Sequence, residues 1–221
     1  MKTLITAHSG CDNTPDNSIK FVEYALSLEV DCLEVDVRLQ GDDLIMAHDV
    51  DSISSPLADA FDRIKTSPGK KLNCDLKEPG LEARVLSLAK AKGVEKQLQY
   101  SGTVSWQWVL QNQGTVEWLW NIEALMPNIY SHGDMADKAM AKKSADIAIA
   151  AFREGLASCF NMHYKLYDSY FCRVLMDENI QLSLWTPSLE NEVAYFLEQG
   201  VYNITTRIAA TACELRTALW S

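Results

Sequence analysis

Apolar residues recur along this chain in two rhythms, alternate positions over short runs and a spacing near 3.6 over longer ones. Leu4-Ile5-Thr6-Ala7 reads as a first strand ending at His8-Ser9-Gly10. A turn-rich loop, Cys11 to Asn17, leads into a helix to about Leu28, whose apolar positions 19, 22, 25, 26 and 28 form one stripe. Leu33, Val35 and Val37 then alternate with Glu34, Asp36 and Arg38 in a second strand. A polar turn at Gly41 to Asp43 carries its extension, Leu44-Ile45-Met46-Ala47, into His48-Asp49. Ser55-Pro56 opens a helix to about Lys65, and Ser67-Pro68-Gly69 breaks it. In the third strand, Lys71 to Lys77, Leu72, Cys74 and Leu76 share one face and Asn73, Asp75 and Lys77 the other. Further strands are predicted at Gln97–Ser101, Val116–Trp120, Ser158–Asn161, Gln181–Trp185 and Tyr202–Thr205. The intervening helices are Pro79 to Gly93, Val104 to Gln111, Met135 to Glu154, Leu166 to Glu178 and Leu189 to Glu198, with a last one ending at Trp220. Gly155 and Gly200 are helix stops. Eight strands alternating with helices predict an α/β fold, a parallel (β/α)8 TIM barrel, and 221 residues suit a single domain over 1–221.

Composition narrows the partners. A net charge of −10 argues against nucleic acid or an anionic membrane surface. A local phosphate site remains open, because a bound metal ion can invert the local sign. No run of eighteen apolar residues occurs, so no membrane span is expected, and the first seven residues are too short for a signal-peptide core. Six cysteines, at 11, 32, 74, 159, 172 and 213, lack zinc-type pairing, and several sit in apolar strand patterns. The expected compartment is the reducing cytoplasm.

Chemistry collects at strand ends, where barrels of this kind carry their sites. His8, Glu34, Asp36, Asp75, Lys77, Trp185 and Arg207 all fall there. Glu34 and Asp36 share a face, with α-carbons roughly 7 Å apart. Like charges at 4 Å repel by about 4 kcal/mol at an effective dielectric near 20. Such a pair is solvated, shares a proton, or holds a hard divalent cation. Taken with Asp75, it offers oxygen ligands for Mg²⁺ or Ca²⁺ rather than zinc. His8 and His48 can serve as base and acid near neutral pH. His132 and His163 read as loop residues, and Trp106, Trp108, Trp118 and Trp120 as packing.

These residues resemble the glycerophosphodiester phosphodiesterase family over nearly the whole chain. The matching segments are His8-Ser9-Gly10, Pro15-Asp16-Asn17-Ser18, Glu34-Val35-Asp36-Val37, His48-Asp49, Asp75-Leu76-Lys77, Trp185-Thr186 and Gly200 to Thr206. The resemblance implies metal ligands at Glu34, Asp36 and Asp75, an acid–base pair at His8 and His48, and Lys77 beside the phosphoryl oxygens. It implies hydrolysis of a small-molecule phosphodiester, a deacylated phospholipid headgroup, to glycerol 3-phosphate and an alcohol. Ser9 replaces the arginine that grips phosphate in the family, Asp75 replaces a glutamate, and Thr206 replaces an aspartate. Ser9, Trp185 and Arg207 join Lys77 as expected substrate contacts, Arg207 as a substitute for the missing cation. A related phosphodiesterase resembling sphingomyelinase D, which carries an aspartate on this third strand, and a non-catalytic barrel binding a phosphorylated ligand are the alternatives.

Overall fold

The computed structural model describes residues 2–50, 54–112, 114–115, 117–130, 138–157 and 159–220. Strand β1 (Leu4–Ala7) is followed by β2 (Cys32–Gln40), which outruns the barrel wall and pairs antiparallel with β3 (Asp43–Met46). The two-residue β4 (Ser55–Pro56) completes that ribbon. Then come β5 (Lys71–Leu76), β6 (Leu98–Gly102), β7 (Glu117–Asn121), β8 (Cys159–His163), β9 (Leu182–Trp185) and β10 (Asn203–Thr206). Every neighbouring pair among β1, β2 and β5 to β10 is parallel, and β1 bonds both β2 and β10, so eight strands close into a barrel. Around it lie α1 (Ile19–Ser27), α2 (Leu57–Ile64), α3 (Glu82–Lys92), α4 (Trp106–Gln111), α5 (Ile122–Leu125), α6 (Lys138–Arg153), α7 (Tyr170–Asp177), α8 (Glu190–Gln199) and α9 (Ala209–Trp220). No helix among the described residues is long and apolar enough to cross a membrane.

The expected (β/α)8 barrel is therefore present, with local departures that have identifiable causes. α3 starts at Glu82 rather than Pro79, because Gly80 turns the chain at φ +83° first. α4 starts at Trp106, with Ser105 accepting from the Trp108 N–H. The helix expected from Leu166 divides into a short 3₁₀ turn at Tyr164–Leu166 and α7, which Ser169 caps. The expected starts at Val116, Met135 and Ser158, and His132, lie outside the described residues. His163 is not a loop residue: it ends β8 and stacks on Tyr164. Trp118 and Trp120 are buried and stacked, whereas Trp106 is exposed.

Period-two alternation sends Leu33, Val35 and Val37 into the buried apolar layer and turns Glu34 and Asp36 toward the barrel axis. Deeper in the barrel the interior is polar. Thr6 donates to Asn203, Asn203 to Ser183, and the Cys32 thiol to Gln99. All six thiols are buried and unbridged.

At the opposite end from the strand termini, Arg216 of α9 is 3% exposed. It pairs with Asp31 and donates to the carbonyls of Thr3 and Glu29, tying the last helix to the residues that lead into β1 and β2. Arg216→Ala strands these acceptors, and removing one partner of a buried pair costs about 3 kcal/mol or more. Asp31 is one-third exposed, which puts the expected loss at the lower end of that range. Urea unfolding of the variant measures it, and an unchanged midpoint would rule out the anchoring role.

Candidate active site

The strands' C-terminal ends open into a cavity of about 880 Å³, lined by every side chain expected at the site except Ser9. Parallel pairing of β2 with β5 sets Asp36 opposite Asp75 and Glu34 opposite Asn73. Oxygens of Glu34, Asp36 and Asp75 consequently lie within 4.8 Å of one another.

Each carboxylate is held from behind. Asn17 clasps Asp36 twice, donating its Nδ2 to Oδ2 at 2.7 Å and accepting the Asp36 N–H at 2.9 Å. Ser101 donates to Asp75 Oδ1 at 2.6 Å and accepts from Asn73. Gly102 stands close by at φ +79°, where a Cβ would lie 2.5 Å from the Leu76 carbonyl and 2.7 Å from Asp75 Oδ1, so only glycine fits. The Ser9 N–H donates to Glu34 Oε2 at 3.2 Å. Lys77 reaches Asp36 Oδ1 at 2.7 Å and also bonds Asp75. Burial works to lower the Lys77 pKa, but Asp75 and Asp36 outweigh it and hold it above the usual lysine range.

Glu34 bears the cost of the crowding. Burial pushes its carboxyl up, His8 pulls it down, Asp36 and Asp75 push it up again and Lys77 opposes them; the outcome is about 7. The donor set suits a hard divalent cation: three carboxylates, all oxygen, with a raised pKa that a positive ion would relieve. Asn73 adds a buried Oδ1 with no hydrogen-bond partner among the described residues.

Two histidines face this centre from different elements. His8, just past β1, has its Nδ1 2.8 Å from the Ser9 carbonyl. A carbonyl only accepts, so Nδ1 is the donor of this bond, and Nε2 stands 3.9 Å from Glu34 Oε2. His48 follows β3, its ring 64% exposed and its Nδ1 3.2 Å from Asp49 Oδ1. Arg38 fixes the His48 main chain by donating to its carbonyl at 2.7 Å.

Ser9 stands apart from the cavity. Its side chain is 1% exposed and its hydroxyl accepts the Asn17 N–H at 2.6 Å, so it locks the turn into α1 and does not reach the cavity. Arg207 does line the cavity, beyond β10, with Nη1 3.1 Å from Asp16 Oδ1. A Cβ on Gly10 would fall 1.9 Å from that Asp16 oxygen and 3.0 Å from Arg207 Nη1, so the pair closes directly over residue 10. Thr206 is buried, its hydroxyl donating to the Pro187 carbonyl at 2.6 Å. Asn17 was not expected among the working residues. Its signal was an asparagine before a helix-capping serine, where the backbone takes φ +50°.

No protein-family profile matches the chain, and no curated protein matches it in sequence. Solved structures do match. A glycerophosphodiester phosphodiesterase from Parabacteroides distasonis superposes with a TM-score of 0.76 at 16% identity, covering 100% of this chain and 99% of that one. The chain has the fold of the glycerophosphodiester phosphodiesterases. An Agrobacterium tumefaciens glycerophosphodiester phosphodiesterase matches with a TM-score of 0.70 at 14% identity, over 97% of this chain and 99% of that one. An Oleispira antarctica phosphodiesterase in complex with the product sn-glycerol-3-phosphate matches with a TM-score of 0.69 at 15% identity, over 99% and 97%.

Proposed function

We propose that the protein is a metal-dependent phosphodiesterase that hydrolyses glycerophosphodiesters to glycerol 3-phosphate and an alcohol by His8/His48 acid–base catalysis. One observation carries this reading: three carboxylates within 4.8 Å of one another, a lysine between two of them, and a histidine beside the third, all at the mouth of the barrel. A phosphodiester is an anion, so its hydrolysis needs charge neutralisation, an activated nucleophile and a protonated leaving group. Glu34, Asp36 and Asp75 would hold Mg²⁺ or Ca²⁺, which supplies the Lewis-acid charge. Lys77 and Arg207 bind the phosphoryl oxygens. His8 Nε2 and His48 Nε2 exchange the protons, each ring oriented by an acceptor at Nδ1, the Ser9 carbonyl and Asp49 respectively. The Oleispira phosphodiesterase, bound to glycerol 3-phosphate, supports the choice of substrate class.

The test is release of glycerol 3-phosphate from glycerophosphocholine or glycerophosphoethanolamine by chelated enzyme, before and after Mg²⁺ or Ca²⁺ is added. No release from either diester with either ion would overturn the reading. Within it, Arg207→Ala should lower kcat/KM by about tenfold, since a charge-assisted contact to phosphate is lost. Ser9→Arg should not compensate, because a buried position has no path to the phosphate and overpacking there destabilises by about 1–3 kcal/mol. Restored activity in the Ser9→Arg/Arg207→Ala double variant would contradict this placement.

A further inference from the structure

The far wall of the cavity carries polar groups that cleavage of the phosphoester bond does not use. Glu123 lines it from the first turn of α5, directly after β7. β7 is four strands from β1 in either direction round the barrel, so Glu123 stands across the mouth from His8. Its carboxylate is fixed at two points: Asn121 Nδ2 donates to Oε1 at 3.0 Å and the Tyr130 hydroxyl donates to Oε2 at 3.1 Å. The same hydroxyl accepts the His163 N–H at 3.1 Å. Burial, and after it the Glu123 charge, raises the Tyr130 phenol above its usual range, so it stays a donor. A carboxylate has about four acceptor positions, and the described residues fill two of them.

Asn161 of β8 completes the corner. It is 6% exposed and lines the cavity; its Nδ2 donates to Asn121 Oδ1 at 2.9 Å, while its Oδ1 has no partner among the described residues. Trp185 forms the adjoining wall, held edge-on to His163 at 5.0 Å. The corner thus offers a negative charge and an unmet buried acceptor, while Lys77, past β5 two strands from β7, and Arg207, past β10 three strands from it, line the same cavity. That disposition matches a zwitterion. A primary ammonium brings three donors and the opposite charge. A trimethylammonium brings charge without donors, and a neutral hydroxyl brings a donor without charge.

We propose that Glu123, with Asn161 Oδ1, binds the primary ammonium of an amino-alcohol head group, so that the enzyme selects ethanolamine-type diesters over choline and neutral ones. The proposal rests on the phosphodiesterase reading, and two measurements separate their failures. The first is kcat/KM for glycerophosphoethanolamine, glycerophosphocholine and glycerophosphoglycerol, with wild type and Glu123→Gln. Wild type should favour the ethanolamine diester by on the order of tenfold to a hundredfold, the worth of a charge-assisted bond, and Glu123→Gln should bring the ratios toward one. Equal rates in wild type, a preference for choline, or a preference that survives Glu123→Gln overturns the assignment. The second is calorimetric binding of O-phosphoethanolamine and of inorganic phosphate. If no diester is hydrolysed, the catalytic reading fails, and calorimetry then decides the ammonium site alone. Weaker phosphoethanolamine binding by Glu123→Gln, with phosphate binding unchanged, supports it; equal binding by both proteins overturns it.

Discussion

Glu34→Gln should abolish hydrolysis and yet make the metal-free protein more stable above pH 7. The activity loss follows from removing one of three clustered ligands: chelation of wild type should have the same effect, with Mg²⁺, Mn²⁺ or Ca²⁺ restoring turnover in wild type alone. The stability gain follows from the raised carboxyl. Its pKa moves from 4.5 to about 7 on folding, so its contribution to stability is fully present below pH 4.5 and is lost as pH rises through 7. At pH 8 the buried charge then costs ~3 kcal/mol, at 1.36 kcal/mol per pH unit. Glutamine cannot ionise, so the variant escapes that cost. Asp36→Ala should be equally inactive but less stable, by about 1–3 kcal/mol, because it strands the Asn17 amide and one contact of Lys77. Melting temperatures in EDTA at pH 5 and pH 8 separate the three proteins. Turnover by Glu34→Gln in chelator, or a lower melting temperature at pH 8, would sink the assignment.

His8→Ala and His48→Ala should each reduce turnover by about 10² to 10⁴ with little change in unfolding midpoint. Neither ring fills the core: His8 is partly open to the cavity and His48 is mostly exposed. If one acts as base and the other as acid, wild type follows a bell in pH, and each variant loses one limb of it. Asp49→Asn should act through His48, loosening the orientation of its ring and lowering turnover less than His48→Ala does. A variant that keeps full turnover, or a profile with both limbs intact, removes that histidine from the mechanism.

What could be read from the chain was whatever depends on period and strand ends. Glu34 and Asp36 sit at inward positions of β2, Asp75 at one of β5 and Lys77 just past its end, and alternation alone placed them there. Ser9 was misplaced because it lies beyond a strand end, where alternation no longer fixes direction; the Asn17 N–H draws its hydroxyl inward. Asn17 escaped notice because its clasp on Asp36 depends on a left-handed backbone that no periodicity encodes. Asn121, Glu123 and Asn161 converge only because β7 and β8 are neighbours, with Asn121 opposite Asn161 in the register. A sequence separation of 40 residues gives no hint of that contact. His163 looked like loop for the same reason: its neighbours Trp185 and Tyr130 come from other strands and turns.

The ribbon of β2, β3 and β4 has a consequence for how the enzyme fails. His8 is rooted in the closed barrel, where β1 is bonded on both sides. His48 hangs from β3, which four residue pairs join to β2 and only two join to β4. Arg38 adds a strap, gripping the His48 carbonyl and Glu78. Such a margin opens at lower free energy than the barrel, as amide exchange slower in β1 than in β3 would register. Under rising denaturant His8 and His48 therefore separate while the eight-stranded wall still stands, and on the proposed mechanism inactivation runs ahead of unfolding.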